Sequence, residues 1–225
     1  DFFDAFVIGE GEEVILDISR VYGSWRQAKL PRLDLHLALA KLEGVYVPSF
    51  YSVSYHPEWL ISEIKTNQPG VPQKITKRIV PVLPPHPTKF LVPNVEIVHD
   101  RMSVEIMRGC TRGCRFCHAG MVNRPVRQRD ASVIIPTIQE AVNATGYEEV
   151  GLLSLSSSDH TEILDLTRQV YDCFHEQKLA FSLPSLRIES FSLDLMDELK
   201  ELKPGGGFTL APEAATERMR AVINK

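Results

Sequence analysis

The sequence predicts an α/β fold, with a partial TIM-type (β/α) barrel in its second half. Four short apolar segments, at 103–108, 150–156, 180–183 and 207–210, are each followed by a loop and a stretch of helical periodicity. This alternation is typical of parallel strands joined by crossover helices. Four units are too few to close an eight-stranded barrel, so we expect an incomplete barrel over residues 101–225.

The helices of these units are predicted from apolar residues at intervals of three and four. They cover 131–145, 161–178, 192–202 and 215–223. We expect Gly146 to end the first helix, Ser192 to cap the third, and Pro204 with Gly205 to terminate it. The apolar face of 161–178 includes Cys173, which we therefore predict to be a buried core residue.

The first 100 residues predict a smaller unit and a connector. A strand at 4–8, a turn rich in glycine and glutamate, a helix from Val14 and a second helix at 33–42 make up the unit. The turn lacks the P-loop lysine and its glutamates would repel phosphate, so a nucleotide site is disfavoured. Nine prolines between 45 and 100 exclude a sustained helix and predict an ordered connector.

The composition is that of an ordinary globular protein, with 44% hydrophobic residues, 24% charged residues and a formal net charge of -4. Four cysteines in 225 residues are too few for a secreted disulfide scaffold. The sequence has neither a signal peptide nor a long apolar stretch, so we expect no membrane association, a cytoplasmic location and reduced thiols.

Three of the cysteines form the most informative motif. Cys110, Cys114 and Cys117 are spaced CxxxCxxC in a loop that contains two glycines. Three thiolates can bind three corners of a cubic 4Fe-4S cluster and leave the fourth iron open to a small ligand, whereas electron-carrier clusters use four cysteines. Zinc requires four ligands, and the adjacent His118 has little freedom to complete a tetrahedron, so a zinc knuckle is the weaker alternative.

Residues 105–118 resemble the radical S-adenosylmethionine (SAM) motif CxxxCx-aromatic-C, with Phe116 in the aromatic position. The resemblance implies a cluster whose open iron binds the amine and carboxylate of SAM. Reduction by a carrier such as flavodoxin or ferredoxin would then yield a deoxyadenosyl radical that attacks a substrate. Barrels of this family usually have six units, so we expect the sequence to be a fragment cut at both ends.

Residues just after the predicted strands are the candidates for SAM contacts, because active sites lie at the carboxyl ends of barrel strands. Ser156, Ser157 and Asp159 stand where many family members carry a glycine-glycine-glutamate-like stretch that receives the SAM amine, although the sequence departs from that pattern. Arg187 suits the SAM carboxylate and Glu213 the ribose hydroxyls. Alternatively, Asp159 caps a helix, and Arg187 and Glu213 pair with protein side chains.

The run Val-Ile-Gly-Glu-Gly-Glu-Glu at 7–13 is similar to the exit of the cobalamin-binding, Rossmann-like domain found upstream in one branch of the family. We expect residues 1–44 to be the end of such a domain, 45–100 the connector and 101–225 the first four barrel units. The runs at 152–159, 182–187 and 207–213 resemble the cobalamin-domain-containing radical SAM proteins of unassigned reaction. That likeness implies methyl or methylthio transfer as one reaction.

The interpretation that we favour is therefore a radical SAM enzyme of unknown substrate. The alternatives are an iron-sulfur electron-transfer or cluster-carrier module and a zinc-stabilised RNA-binding module. Seven arginines near the cysteines could meet an anionic substrate such as RNA, but they could also offset cluster charge or pair with carboxylates, which we favour. These are Arg101, Arg108, Arg112, Arg115, Arg124, Arg127 and Arg129.

Overall fold

The computed structural model describes residues 2–95, 97–190, 192–202 and 210–225. The chain forms two compact units that divide after Pro81, and both contain helices and strands. The α/β class expected from the sequence is thus confirmed. The assignment of 1–44 to a cobalamin-type domain and of 45–100 to a connector stays a prediction.

The N-terminal unit begins with strand β1 (Phe6–Val7), followed by helices α1 (Val14–Ala28) and α2 (Arg32–Leu39), and strand β2 (Val45–Tyr46) pairs antiparallel with β1. Left-handed Lys29 ends α1. Burial of one face of each helix against β2 and the following turn forms a small core. Its buried members are Val14, Leu39, Ala40, Val45, Val47 and Phe50.

The turn rich in glycine and glutamate holds a later part of the same unit. Gly9 forms a parallel β-bridge with Arg78 and has φ +117°. A Cβ at position 9 would overlap the carbonyl oxygen of Arg78, so only glycine fits there. Glu13 and Asp17 bind the Arg78 guanidinium at 2.9 and 3.3 Å. The turn therefore holds the chain segment around Arg78 in place.

A β-hairpin lies in the proline-rich segment, where the sequence predicted only short extended pieces. Strands β3 (Tyr51–Tyr55) and β4 (Ile61–Thr66) pair antiparallel, with a register shift at Tyr55. Pro57 falls in the connecting turn, where its missing amide removes no ladder hydrogen bond. Most side chains of both strands are exposed. The sequence therefore lacks the alternation of buried and exposed residues by which a strand is usually predicted.

The C-terminal unit is built on parallel strands. Strand β5 (Met102–Glu105) is followed by β6 (Met107–Arg108), which pairs antiparallel with β7 (Arg127–Gln128). Strands β8 (Glu149–Leu153) and β9 (Ala180–Ser182) then complete a parallel sheet in the order β5-β8-β9. The first three predicted strands of the second half are therefore found in parallel, although each is shorter than expected.

Five helices accompany this sheet: α3 (Ala119–Val122), α4 (Ala131–Thr145), α5 (Ile163–Phe174), α6 (Leu193–Leu202) and α7 (Glu217–Ile223). Left-handed Gly146 ends α4 as predicted, and the Ser192 hydroxyl accepts a hydrogen bond from the Leu195 amide at 3.1 Å. Buried side chains of the sheet and of helices α4 and α5 form the core of this unit. Among them are Val104, Ile106, Ile134, Ile138, Val150, Leu152, Leu166, Val170 and Phe174.

Two expectations of the sequence need comment. Cys173 is exposed, so its prediction as a core residue was wrong. The buried face of α5 includes Thr167 in addition to the apolar residues of the predicted face. The centre of this face therefore lies farther from Cys173 than the apolar pattern alone indicated. Of the predicted strand 207–210, only Leu210 is described, and it forms a parallel bridge with Leu186. Pro204 and Gly205 lie outside the described residues.

Three parallel strands in the described residues form an open sheet, so the partial barrel stays a prediction. Among the described helices, none combines the length and apolar character that crossing a membrane would require.

Candidate functional site

The cysteine motif lies in the loop between β6 and α3, just beyond the carboxyl end of the first parallel strand. Gly109 opens the loop with φ +87°, and a Cβ there would stand 2.6 Å from the Asn123 carbonyl oxygen and 2.7 Å from that of Pro125. Only glycine allows this approach of two backbone segments. The pairing of β6 with β7 fixes the position from which the loop departs.

The three cysteines share one cavity of about 560 Å³. Cys114 is buried, whereas Cys110 and Cys117 are half-buried. Gly120 contributes a surface without a side chain, because a Cβ there would lie 3.4 Å from Cys117 Sγ and 3.9 Å from Cys110 Cβ. Its amide also donates to Cys117 Sγ at 3.3 Å. The loop and α3 thus form a cradle lined by sulfur and bare backbone.

Three thiolates in one cavity are a donor set that suits an iron-sulfur cluster. Within the described residues, no three His, Cys, Asp or Glu side chains converge on a point where one ion could be held. A cubic cluster presents a separate iron to each thiolate, so its ligands need not converge. His118 is not among the residues that line the cavity in the described chain.

The end of α7 supports the cysteine loop from one side. The Asn224 amide nitrogen donates to the carbonyl oxygens of Arg112 and Gly113, both at 3.0 Å. The backbone amide of Arg115 donates to the Ile223 carbonyl at 3.0 Å, and its guanidinium donates to Val222. Sequence analysis did not single out Val222, Ile223 or Asn224, because nothing local in α7 signals a partner more than 100 positions earlier.

Asp159 supports the same loop from another side. Arg112, between the first two cysteines, donates to the Asp159 carboxylate from both Nε, at 3.0 Å, and Nη2. The Ser156 hydroxyl donates to it at 2.7 Å. Burial would raise the pKa of Asp159, but hydrogen bonds from Arg112, Ser156 and Ser190 and the charge of Arg112 outweigh it and lower the pKa to about 2.

Arg187 lies against Cys114, one of the three cysteines. Its side chain is only 11% exposed and lines the cavity, and Nη1 donates to Cys114 Sγ at 3.4 Å. Nη2 pairs with Glu189 at 3.2 Å. The Nε atom is buried and has no hydrogen-bond partner among the described residues, although an Asp159 oxygen lies 4.0 Å away. The guanidinium is therefore held between a sulfur and two carboxylates.

The other predicted cofactor contacts divide into two groups. Phe116, which is 54% exposed, and Glu213 line the cavity with Arg187 and the cysteines. Glu213 pairs with Lys225 at 3.2 Å. Ser156 and Ser157 are buried, and the Ser157 hydroxyl donates to the Pro184 carbonyl at 2.8 Å. Neither serine nor Asp159 belongs to the cavity lining in the described chain. Their roles toward SAM stay predictions.

Ser182 and Arg101 also line the cavity, and the sequence predicted neither as a SAM contact, although it placed Arg101 among the arginines near the cysteines. Ser182 ends β9, and its hydroxyl is buried without a hydrogen-bond partner among the described residues. Arg101 also lines the cavity and pairs with Glu149 at 3.3 Å. The rule that active sites lie at strand ends would have identified Ser182, whereas Arg101 precedes its strand and carried no such signal.

The arginines of the cluster region are engaged with the protein. Four pair with carboxylates: Arg101 with Glu149, Arg108 and Arg129 with Glu105, and Arg112 with Asp159. The other three donate to backbone carbonyls: Arg115 to Val222, Arg124 to Cys110, and Arg127 to Asn123 and Pro125. All seven of these arginines therefore have protein partners, whereas an RNA partner stays a prediction.

Comparison with known proteins gives two family matches. The family described as the radical SAM superfamily matches residues 104–225, more than half of the chain, and the family described as radical SAM proteins, N-terminal, matches residues 1–48. An uncharacterised protein of Methanocaldococcus jannaschii is 35% identical over 122 residues, which cover 54% of this chain and 26% of that protein.

Two enzymes are also similar. The anaerobic magnesium-protoporphyrin IX monomethyl ester cyclase of Cereibacter sphaeroides is 25% identical, over the whole of this chain and 34% of the enzyme. The chain thus spans about a quarter to a third of these curated relatives. The radical SAM methyltransferase TsrM of Kitasatospora setae, solved with cobalamin and a 4Fe-4S cluster, aligns at 13% identity and a TM-score of 0.46, over 88% of this chain and 36% of that one.

Proposed function

The chain belongs to the radical SAM superfamily, and we propose that the protein is an enzyme that binds a 4Fe-4S cluster and SAM in the cavity of the C-terminal unit. Cys110, Cys114 and Cys117 would hold three irons. The observation that carries this proposal is that all three cysteines line a single cavity of about 560 Å³, which leaves room for a ligand beside them.

When bound, the cluster would supply the electron that splits a carbon-sulfur bond of SAM. The protein's own part is to bind and orient SAM. Arg187 presents a cation for the SAM carboxylate, Glu213 presents an acceptor for ribose hydroxyls, and Phe116 offers an exposed ring for packing. All three line the cavity, which supports their predicted roles.

Ser156, Ser157 and Asp159 fit a supporting role better than direct contact with the SAM amine. Their hydrogen bonds go to protein groups: Asp159 to Arg112 in the cysteine loop, and Ser157 to Pro184 in the segment that precedes Arg187. We propose that these residues hold the two walls of the cavity in place. Their effect on SAM would then be indirect.

Metal analysis and spectroscopy of the anaerobically reconstituted full-length protein test the proposal. We expect iron and sulfide in the ratio of a 4Fe-4S cluster, a change in its paramagnetic resonance when SAM is added, and formation of 5′-deoxyadenosine under reduction. Cys117→Ser should lose the cluster, whereas Cys173→Ser, a matched control at an exposed cysteine, should keep it. A cluster that ignores SAM would favour an electron carrier, and zinc without sulfide would favour a zinc module.

Two further features are proposals of the same kind. The resemblance of residues 7–13 to the exit of a cobalamin-binding domain supports cobalamin-dependent methyl or methylthio transfer in the full-length protein. The full-length protein should then retain cobalamin when it is supplied with the cofactor. A flavodoxin or ferredoxin is the proposed electron donor, and reduction of the cluster by either carrier is the measurement. The substrate, for which RNA is one candidate, is not assigned.

A further inference from the structure

Arg187 is the one cavity cation that donates a hydrogen bond to a cysteine sulfur among the described residues. Its Nη1 lies 3.4 Å from Cys114 Sγ, and Cys114 is the buried member of the three cysteines. The contact joins the segment after β9 to the cysteine loop across 73 positions of sequence. It was not expected from the sequence, which directed Arg187 toward the SAM carboxylate.

The position of this guanidinium is fixed by its surroundings. The Arg187 backbone amide donates to the Ser158 hydroxyl at 3.0 Å, which anchors the start of the side chain. Glu189 binds Nη2 at 3.2 Å, and the side chain is 11% exposed. An arginine with few alternative positions holds its charge at a constant distance from the sulfur, and it stays protonated at any ordinary pH.

The reduction potential of an iron-sulfur cluster depends on its net charge, on hydrogen bonds to its sulfurs and on exposure to solvent. Reduction adds one electron, so a donor and a positive charge beside a ligand sulfur stabilise the reduced form. We propose that Arg187 sets the potential of the cluster through its hydrogen bond to Cys114, independently of any contact with SAM. The inference rests on the proposed function in one respect, namely that Cys114 is a cluster ligand.

The test is a redox titration of the reconstituted full-length protein without SAM, with dithionite as the one-electron donor. No proton or group is transferred in this step. In Arg187→Gln we expect the ratio of reduced to oxidised cluster at a given potential to be roughly tenfold lower than in the wild type, which is a midpoint about 59 mV more negative. Arg187→Lys keeps the charge but not the planar donor, so its midpoint should lie between these two.

Arg101→Gln is the matched control, because Arg101 lines the same cavity but makes no contact with a cysteine sulfur among the described residues. We expect it to shift the midpoint clearly less than Arg187→Gln. Equal shifts in the two variants, or an unchanged midpoint in Arg187→Gln, would overturn the inference.

Iron content separates failure of the inference from failure of the proposed function. If the wild type binds no cluster, the proposed function is wrong and the inference falls with it. If the wild type and Arg187→Gln bind equal iron and share one midpoint, only the inference is wrong. If Arg187→Gln loses iron, Arg187→Lys decides: a midpoint more negative than the wild type supports the inference, and an unchanged one refutes it.

Discussion

Replacement of Asp159 by asparagine should remove a pH-dependent part of the stability of the C-terminal unit. The Asp159 carboxylate is 11% exposed and accepts two hydrogen bonds from Arg112 and one from Ser156. These donors lower its pKa from an ordinary 3.8 to about 2. A difference of that size between folded and unfolded states corresponds to roughly 2 kcal/mol of folding free energy at neutral pH.

The sign follows from the direction of the pKa shift. Because the folded pKa is the lower one, the unfolded chain takes up the proton first as the pH falls. The stabilisation is therefore fully present above about pH 5, and roughly half of it is lost by pH 3. The amide that replaces the carboxyl in Asp159→Asn cannot ionise. The free energy of unfolding of this variant should therefore lack the pH-dependent contribution of Asp159. The difference between wild type and variant should shrink by about 1 kcal/mol between pH 7 and pH 3.

Urea unfolding of the reduced apoprotein, followed by circular dichroism, measures this difference. Tryptophan fluorescence would report on the wrong unit, because both tryptophans, Trp25 and Trp59, lie before Pro81. The contact of the new amide with Arg112 adds to the difference in free energy of unfolding only an amount that does not vary with pH. A difference between wild type and variant that stays the same from pH 7 to pH 3 would refute the assignment of the low pKa to Asp159.

Three other predictions have defined outcomes. Cys173→Ser should change the urea midpoint little, because the thiol is exposed; a loss above about 1 kcal/mol would show that it is packed. Gly109→Ala should destabilise the fold far more than Gly146→Ala, because both have positive φ but only Gly109 faces backbone atoms within 3 Å; equal losses would contradict this. Asn224→Gly should speed hydrogen exchange in residues 110–117 through loss of two hydrogen bonds, and unchanged exchange would argue against the α7 support.

Sequence patterns predicted the elements in which burial and local chain geometry agree. Helix α4 was placed at both of its ends, because Ile134, Ile138 and Ala141 repeat at helical spacing and Gly146 can adopt the left-handed conformation that stops it. The cysteine motif could be recognised for a similar reason, since its three cysteines lie within eight residues of one loop.

Sequence patterns could not predict elements without a buried face or contacts between residues that are distant in sequence. The exposed strands of the β3–β4 hairpin have little hydrophobic alternation, and Cys173 lies at the edge of a stripe whose width depends on how α5 packs. The strand-end rule identified Arg187 and Asp159 as site candidates, but their partners, Cys114 and Arg112, became known only from the tertiary structure.

These distant contacts have a common consequence for the binding of a cofactor. The cysteine loop is held by Asn224 after α7, by Asp159 after β8 and by Arg187 after β9, so three separate parts of the C-terminal unit determine its position. A ligand that binds the folded loop and not the unfolded chain stabilises everything that must be folded to form the loop. Cluster binding should therefore raise the stability of the C-terminal unit as a whole, because the loop cannot keep its geometry if any one of these supports unfolds.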